Sequence, residues 1–182
     1  AARCSPHNAV FLEGVKAALE ADAAFAGGRY TTAPRAGLRA FGRVYAGWAY
    51  SQRFYRDALY TRLGFDSIEA LLVGWEEDHV ARDANDLLAM LATWRRADVS
   101  ATAPWHGDLA AALGGIRART LVMPSDTDLY FTLDDNRIEA ACVPGAELRP
   151  LVSPFGHCAG APGRIAEDTA FVEAAMRELL GG

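Results

Sequence analysis

Two short segments hold most of the side chains suited to proton chemistry. One reads Ser125-Asp126-Thr127-Asp128-Leu129-Tyr130-Phe131, the other Ser153-Pro154-Phe155-Gly156-His157-Cys158-Ala159-Gly160. An acid followed along the chain by a histidine is an order in which a carboxylate can orient an imidazole. The carboxylate fixes the ring tautomer and stabilises the imidazolium, so the other ring nitrogen can take a proton from a nucleophile. Gly156 allows a tight turn just before His157. The bland reading makes Asp126 and Asp128 turn formers and His157 a loop histidine. Elsewhere, His106 and Asp108 sit close together in Trp105-His106-Gly107-Asp108, but two ligands fall short of a tetrahedral metal set. His7 and His79 read as surface or capping residues. No metal or cofactor is expected.

The elements that would position these residues change character near Pro104. Before it, every long apolar pattern has a helical period; after it, short apolar runs alternate with helical segments. The spacing predicts a helix over 8–21, with Asn8 as N-cap and Val10, Phe11, Val15, Ala18 and Leu19 on one side. A second follows Pro34, in which Leu38, Phe41, Tyr45, Trp48, Tyr55 and Leu59 recur at three- and four-residue steps. A third begins at Asp66, with Asp66 and Glu69 as a capping box and Ile68, Leu71, Leu72 and Trp75 inside it. The polar stretch 76–86 reads as solvated or as a break. A fourth helix starts at Asn85 and groups Leu87, Leu88, Leu91 and Trp94.

Residues 118–124 form a short apolar run that stops at Pro124, which is how a buried parallel strand reads. Residues 133–142 read as a helix with Asp134 and Asp135 at its positive end. A second strand over 146–153 and a closing helix over 164–180, ending at Gly181-Gly182, complete a strand–helix–strand–helix unit. Both acid- and histidine-bearing loops then leave the carboxyl ends of parallel strands, where open α/β sheets bind ligands. The expected division is a helical region over 1–104 and a βαβα region over 105–182. Two strands cannot hold an α/β sheet alone, so more are expected elsewhere. The chain opens at Ala1-Ala2-Arg3-Cys4 without an initiator methionine, as if cut from something longer.

The runs Trp94-Arg95-Arg96-Ala97-Asp98-Val99-Ser100, 121–131, Pro144-Gly145-Ala146-Glu147-Leu148 and Ser153-Pro154-Phe155-Gly156-His157 resemble the homoserine O-acetyltransferase branch of the α/β-hydrolase superfamily. Ser5-Pro6-His7-Asn8 and 17–30 resemble the segment leading into that family's helical lid. The resemblance implies an α/β class fold: the C-terminal part of an α/β-hydrolase with a helical lid insertion. It also implies a serine acyl-enzyme, with His157 and an acid as catalytic residues. The segment 127–131 matches the family's acid loop at Asp128 better than at Asp126. An acyl donor such as acetyl-CoA and a small acceptor would be its partners. The elbow Gly-x-Ser-x-Gly does not occur here, so the nucleophile and oxyanion hole are expected upstream, in a missing N-terminal half. Ser5 reads as the end of a strand, and Cys4 is weighed as a substitute nucleophile. Those acetyltransferases carry an acidic residue after the histidine, where this chain has Cys158, so homoserine is not carried over as acceptor.

Composition bounds the alternatives. At 182 residues, 51% hydrophobic and 23% charged, the chain fits a globular domain rather than a disordered or fibrous one. A net charge of −5 argues against nucleic acid or an anionic membrane as the main partner. No apolar run approaches the roughly 18 residues of a membrane span. Three cysteines without a C-x-x-C pair point to a reducing, cytoplasmic setting. The readings carried forward are an acyltransferase part and a carboxylesterase part of the same fold. A third is a non-enzymatic helical module, whose long helices could mediate a homodimer. The lone chain is expected to have no acyl-transfer or esterase turnover.

Overall fold

The computed structural model describes residues 1–181. The residue Gly182, which ends the expected closing helix, lies outside them. The chain divides into two compact units. One comprises Cys4–Trp48 and Tyr60–Ala97; the other comprises Ala1–Arg3, Ala49–Leu59 and the residues from Asp98 onward.

The first unit is helical. Helix α1 (Pro6–Glu20) is capped by Ser5, whose side chain accepts from the Asn8 N–H, with Pro6 at the first helical position. This corrects one reading: the cap is Ser5, not Asn8. Proline at that position is itself a start signal, because its missing N–H has no helical partner to lose. Ser5, with extended backbone, directly follows a stretch in which Arg3 bridges antiparallel to Asp98 and the Cys4 N–H donates to the Ala97 carbonyl at 2.9 Å. Helix α2 (Arg35–Ala49) does not run on to Leu59. It stops before Ser51, whose side chain accepts from the Phe54 N–H and caps the short helix α3 (Gln52–Arg56), which belongs to the other unit. Helix α4 (Ile68–Val80) is capped by Ser67 instead of Asp66 and continues through Glu76 and His79. Helix α5 (Ala84–Arg96) starts at the cap Asp83.

Aromatic packing fills this unit. Trp48 is fully buried and stacks on Phe11 at 4.3 Å and on Trp94 at 5.5 Å between ring centroids. A Cβ at Gly42 would stand 2.5 Å from the Trp75 carbonyl, so the glycine lets α2 and α4 touch. His79 is a core residue, which corrects its reading as a surface or capping residue. Its Nδ1 lies 2.7 Å from the Trp75 carbonyl, and burial holds its pKa below the usual imidazole value.

The second unit holds the expected parallel pair, β1 (Leu121–Val122) and β2 (Glu147–Leu148), in register Leu121 to Glu147 and Val122 to Leu148. Further ladder contacts run from the Arg149 N–H to the Val122 carbonyl and from the Leu151 N–H to the Pro124 carbonyl. The strands are shorter than their apolar runs. Pro124 has no N–H to give the ladder, so one rung is missing there, and pairing resumes beyond it at Ser125 and Leu151. Helix α7 (Leu133–Cys142), capped by Thr132, fills the crossover at the expected bounds. Helix α6 (Leu109–Gly114) was not anticipated, and Asp108 serves as its cap. Helix α8 (Ala166–Leu179) closes the unit. Arg3 pairs with Asp98 at 2.7 Å and donates to Ser100 Oγ and the Gly107 carbonyl, fastening the first residues to this unit.

Candidate active site

The strand ladder delivers the two chemistry-bearing loops side by side. Past β1 and β2, Ser125 still bridges to Leu151, and the Asp126 N–H donates to the Leu151 carbonyl at 3.0 Å. The residues that follow each strand therefore leave the same sheet end in neighbouring loops.

There His157 Nδ1 lies 3.0 Å from Asp128 Oδ2. The other carboxylate oxygen, Oδ1, accepts from the backbone N–H groups of Tyr130 at 2.7 Å and Phe131 at 3.2 Å. Three donors thus hold one carboxylate at a fixed angle. The Asp128 side chain is 8% exposed and that of His157 37%, so the acid is shielded and the ring stays within reach of a reactant. The Tyr130 ring stacks on the imidazole at 4.1 Å and 19°, and Phe131 meets it edge-on at 5.4 Å. Asp126, the rival acid, is used otherwise: its Oδ1 accepts from the Ser153 N–H at 2.9 Å.

The turn before the histidine is tightly clamped. Gly156 has φ +61°, and a Cβ there would fall 2.8 Å from the Ala49 carbonyl and 2.9 Å from the Ser51 nitrogen. Ser51 Oγ donates to the Pro154 carbonyl at 2.5 Å, and Phe155 packs edge-on against Phe54 of α3. Local sequence signals could not reveal that α3 supports the histidine loop, because the two lie about a hundred residues apart in the chain. Stacking of Tyr130 and Phe131 on the ring was likewise missed, although two aromatics just after the acid are a usable hint.

Other candidates stand apart from this pair. Burial pushes the Cys158 thiol up, and it also pushes up that of Cys4, opposite to what an attacking thiolate needs. Tyr55 is pushed up to about 12 by burial and by the neighbouring Cys158. His106, at φ +46°, is exposed, and its neighbour Asp108 caps α6. His7 lies edge-on to Phe11. Among the described residues, no group of three or more His, Cys, Asp or Glu side chains is placed to hold a metal ion. Nor does any helix among them have the length and apolarity to cross a membrane.

A parallel pair joined through a helix, with acid and histidine at its carboxyl ends, defines the class. The chain has the fold of the C-terminal part of an α/β-hydrolase.

The particular likenesses are to esterases. The chain is 38% identical over 182 residues to an ethyl acetate hydrolase of Pseudomonas veronii, matching 98% of this chain and 51% of that protein. An acetylester hydrolase from Corynebacterium glutamicum has a solved structure that superposes with a TM-score of 0.94 at 32% identity, over 100% of this chain and 52% of that one. A homoserine O-acetyltransferase from Bacillus anthracis shares the fold at a TM-score of 0.78 and 20% identity, covering 100% of this chain and 51% of that one. The resemblance to the acetyltransferase branch is thus one of fold, while the relatives above 30% identity carry hydrolase names. No protein-family model matches the chain. It spans about half the length of the curated relatives it matches.

Proposed function

We propose that this chain supplies the acid and the general base of a serine esterase that cleaves acetate esters of small alcohols. The observation that carries this reading is the contact of His157 Nδ1 with the shielded carboxylate of Asp128 at 3.0 Å. With Nδ1 held by the acid, Nε2 is the nitrogen that takes the proton of a serine hydroxyl as it attacks the ester carbonyl. The resulting imidazolium returns that proton to the departing alcohol, leaving an acetyl-enzyme. The ring, neutral again, then takes a proton from the water that attacks the acetyl carbonyl and returns it to the serine oxygen as acetate leaves. The serine and the oxyanion donors are assigned to the half of the relatives' length that this chain does not span. The helical unit is assigned the role of a lid.

Hydrolysis is preferred over transfer because the relatives above 30% identity are named as hydrolases of acetyl esters or as an esterase. Transfer to a hydroxyl acceptor would pass through the same acyl-enzyme and differ only in the second nucleophile. The test is to measure acetate release from ethyl acetate and p-nitrophenyl acetate by the full-length protein, with and without added alcohols. Replacing His157 by alanine should cut kcat by at least roughly 10⁴-fold. An undiminished His157→Ala enzyme would refute the reading. Predominant acetyl transfer to the alcohol at millimolar concentration would replace the esterase by an acyltransferase. The 182-residue chain alone should show no turnover.

A further inference from the structure

Three consecutive side chains of the acid loop each grip a different part of the histidine loop. Asp126 Oδ1 accepts from the Ser153 N–H at 2.9 Å, and Asp128 Oδ2 meets His157 Nδ1 at 3.0 Å. Between them, Thr127 Oγ1 donates to the Ser153 carbonyl at 2.6 Å and accepts from the Gly156 N–H at 3.2 Å. One hydroxyl therefore ties both ends of the turn 153–156, the second end one residue before His157. Ser153 is fixed in turn, since its Oγ bonds Asp168 Oδ2 at 2.9 Å and accepts from the Phe155 N–H at 3.3 Å. Ser153 is 2% exposed and Asp168 5%, so water does not compete freely for these groups.

We propose that Thr127 is a positioning residue for His157: its hydroxyl sets the span of the turn and so holds the imidazole on Asp128. Asp126 is its partner in this bracket, gripping backbone while Asp128 grips the ring. The inference rests on the reading of Asp128 and His157 as acid and base. The physical need is precision, because proton transfer demands that the ring sit within about 0.5 Å of its productive place. The chain just before His157 is held by Thr127, so a looser turn passes its error straight to the ring.

Valine has the shape of threonine without the hydroxyl, so Thr127→Val removes both bonds at little steric change. In the full-length protein, kcat on p-nitrophenyl acetate should fall by roughly ten- to a hundredfold while KM stays within about twofold. Thr127→Ser, which keeps the oxygen, should restore most of kcat. In the background of His157→Ala, Thr127→Val should cost nothing further, because a residue that acts through the ring has no effect once the ring is gone. A second readout does not depend on turnover. In the proton NMR spectrum, the downfield Nδ1–H signal of His157, identified by its loss in His157→Gln, should broaden or move upfield in Thr127→Val. The proposal is overturned if Thr127→Val keeps wild-type kcat and an unchanged signal. It is also overturned if Thr127→Ser is as impaired as Thr127→Val, or if Thr127→Val unfolds while Thr127→Ser leaves the NMR signal altered. A fully active His157→Ala would instead bring down the esterase reading itself.

Discussion

Replacing Asp128 by asparagine separates the two jobs of its carboxylate. Oδ1 accepts from two backbone N–H groups, of Tyr130 at 2.7 Å and Phe131 at 3.2 Å. An asparagine must put its carbonyl oxygen there, since its NH2 would meet two donors head-on. Its NH2 then takes the place of Oδ2, 3.0 Å from His157 Nδ1. A donor facing Nδ1 selects the tautomer with the proton on Nε2, the nitrogen assigned to accept the serine proton. The expected loss in kcat is about 10⁴-fold, or about 5.4 kcal/mol of transition-state stabilisation at 1.36 kcal/mol per decade. Fold stability should change by less than about 1 kcal/mol, because both N–H groups keep their acceptor. Asp128→Ala gives the contrast: it orphans those two N–H groups and should cost roughly 1–3 kcal/mol for each that stays unpaired. The assay is kcat on p-nitrophenyl acetate in the full-length protein, with urea melts on both variants. Activity of Asp128→Asn within tenfold of wild type would refute the tautomer argument and the assignment of Asp128 as acid.

Other expectations follow from single sites. Gly156→Ala puts a Cβ 2.8 Å from the Ala49 carbonyl at φ +61°, so it should lower the melting temperature and activity together, costing at least about 1–3 kcal/mol; thermal melts read this directly. Trp48→Ala removes a fully buried ring stacked on Phe11 and Trp94, and denaturant titration should show a loss of about 3–5 kcal/mol. Burial depresses the folded pKa of His79, so its contribution is present above the unfolded imidazole pKa of about 6.5 and is lost as pH falls through and below it. Urea midpoints should therefore drop between pH 7.5 and 5.5, and His79→Phe should flatten that slope.

The sequence by itself determined the helical first half, the parallel strand pair, the 133–142 helix and the placing of an acid and a histidine after successive strands. These depend on local causes: apolar periodicity, proline stops and turn residues, each acting over a few positions. Caps were less legible where several candidates crowd together, as with Ser5 and Asn8 or Asp66 and Ser67, because the choice depends on which side chain reaches an N–H once the helix has formed. The break of α2 at Ser51 was hidden because the apolar spacing continues across it. What breaks the helix is a side chain that caps α3 and also bonds Pro154, about a hundred residues on. Only the tertiary structure decided that Asp128 takes the ring and Asp126 the backbone, and that Thr127 ties the turn between them. Those partners lie 26 to 29 residues away along the chain. No local pattern encodes such a contact, since it exists only once the β1–β2 ladder has set the two loops side by side.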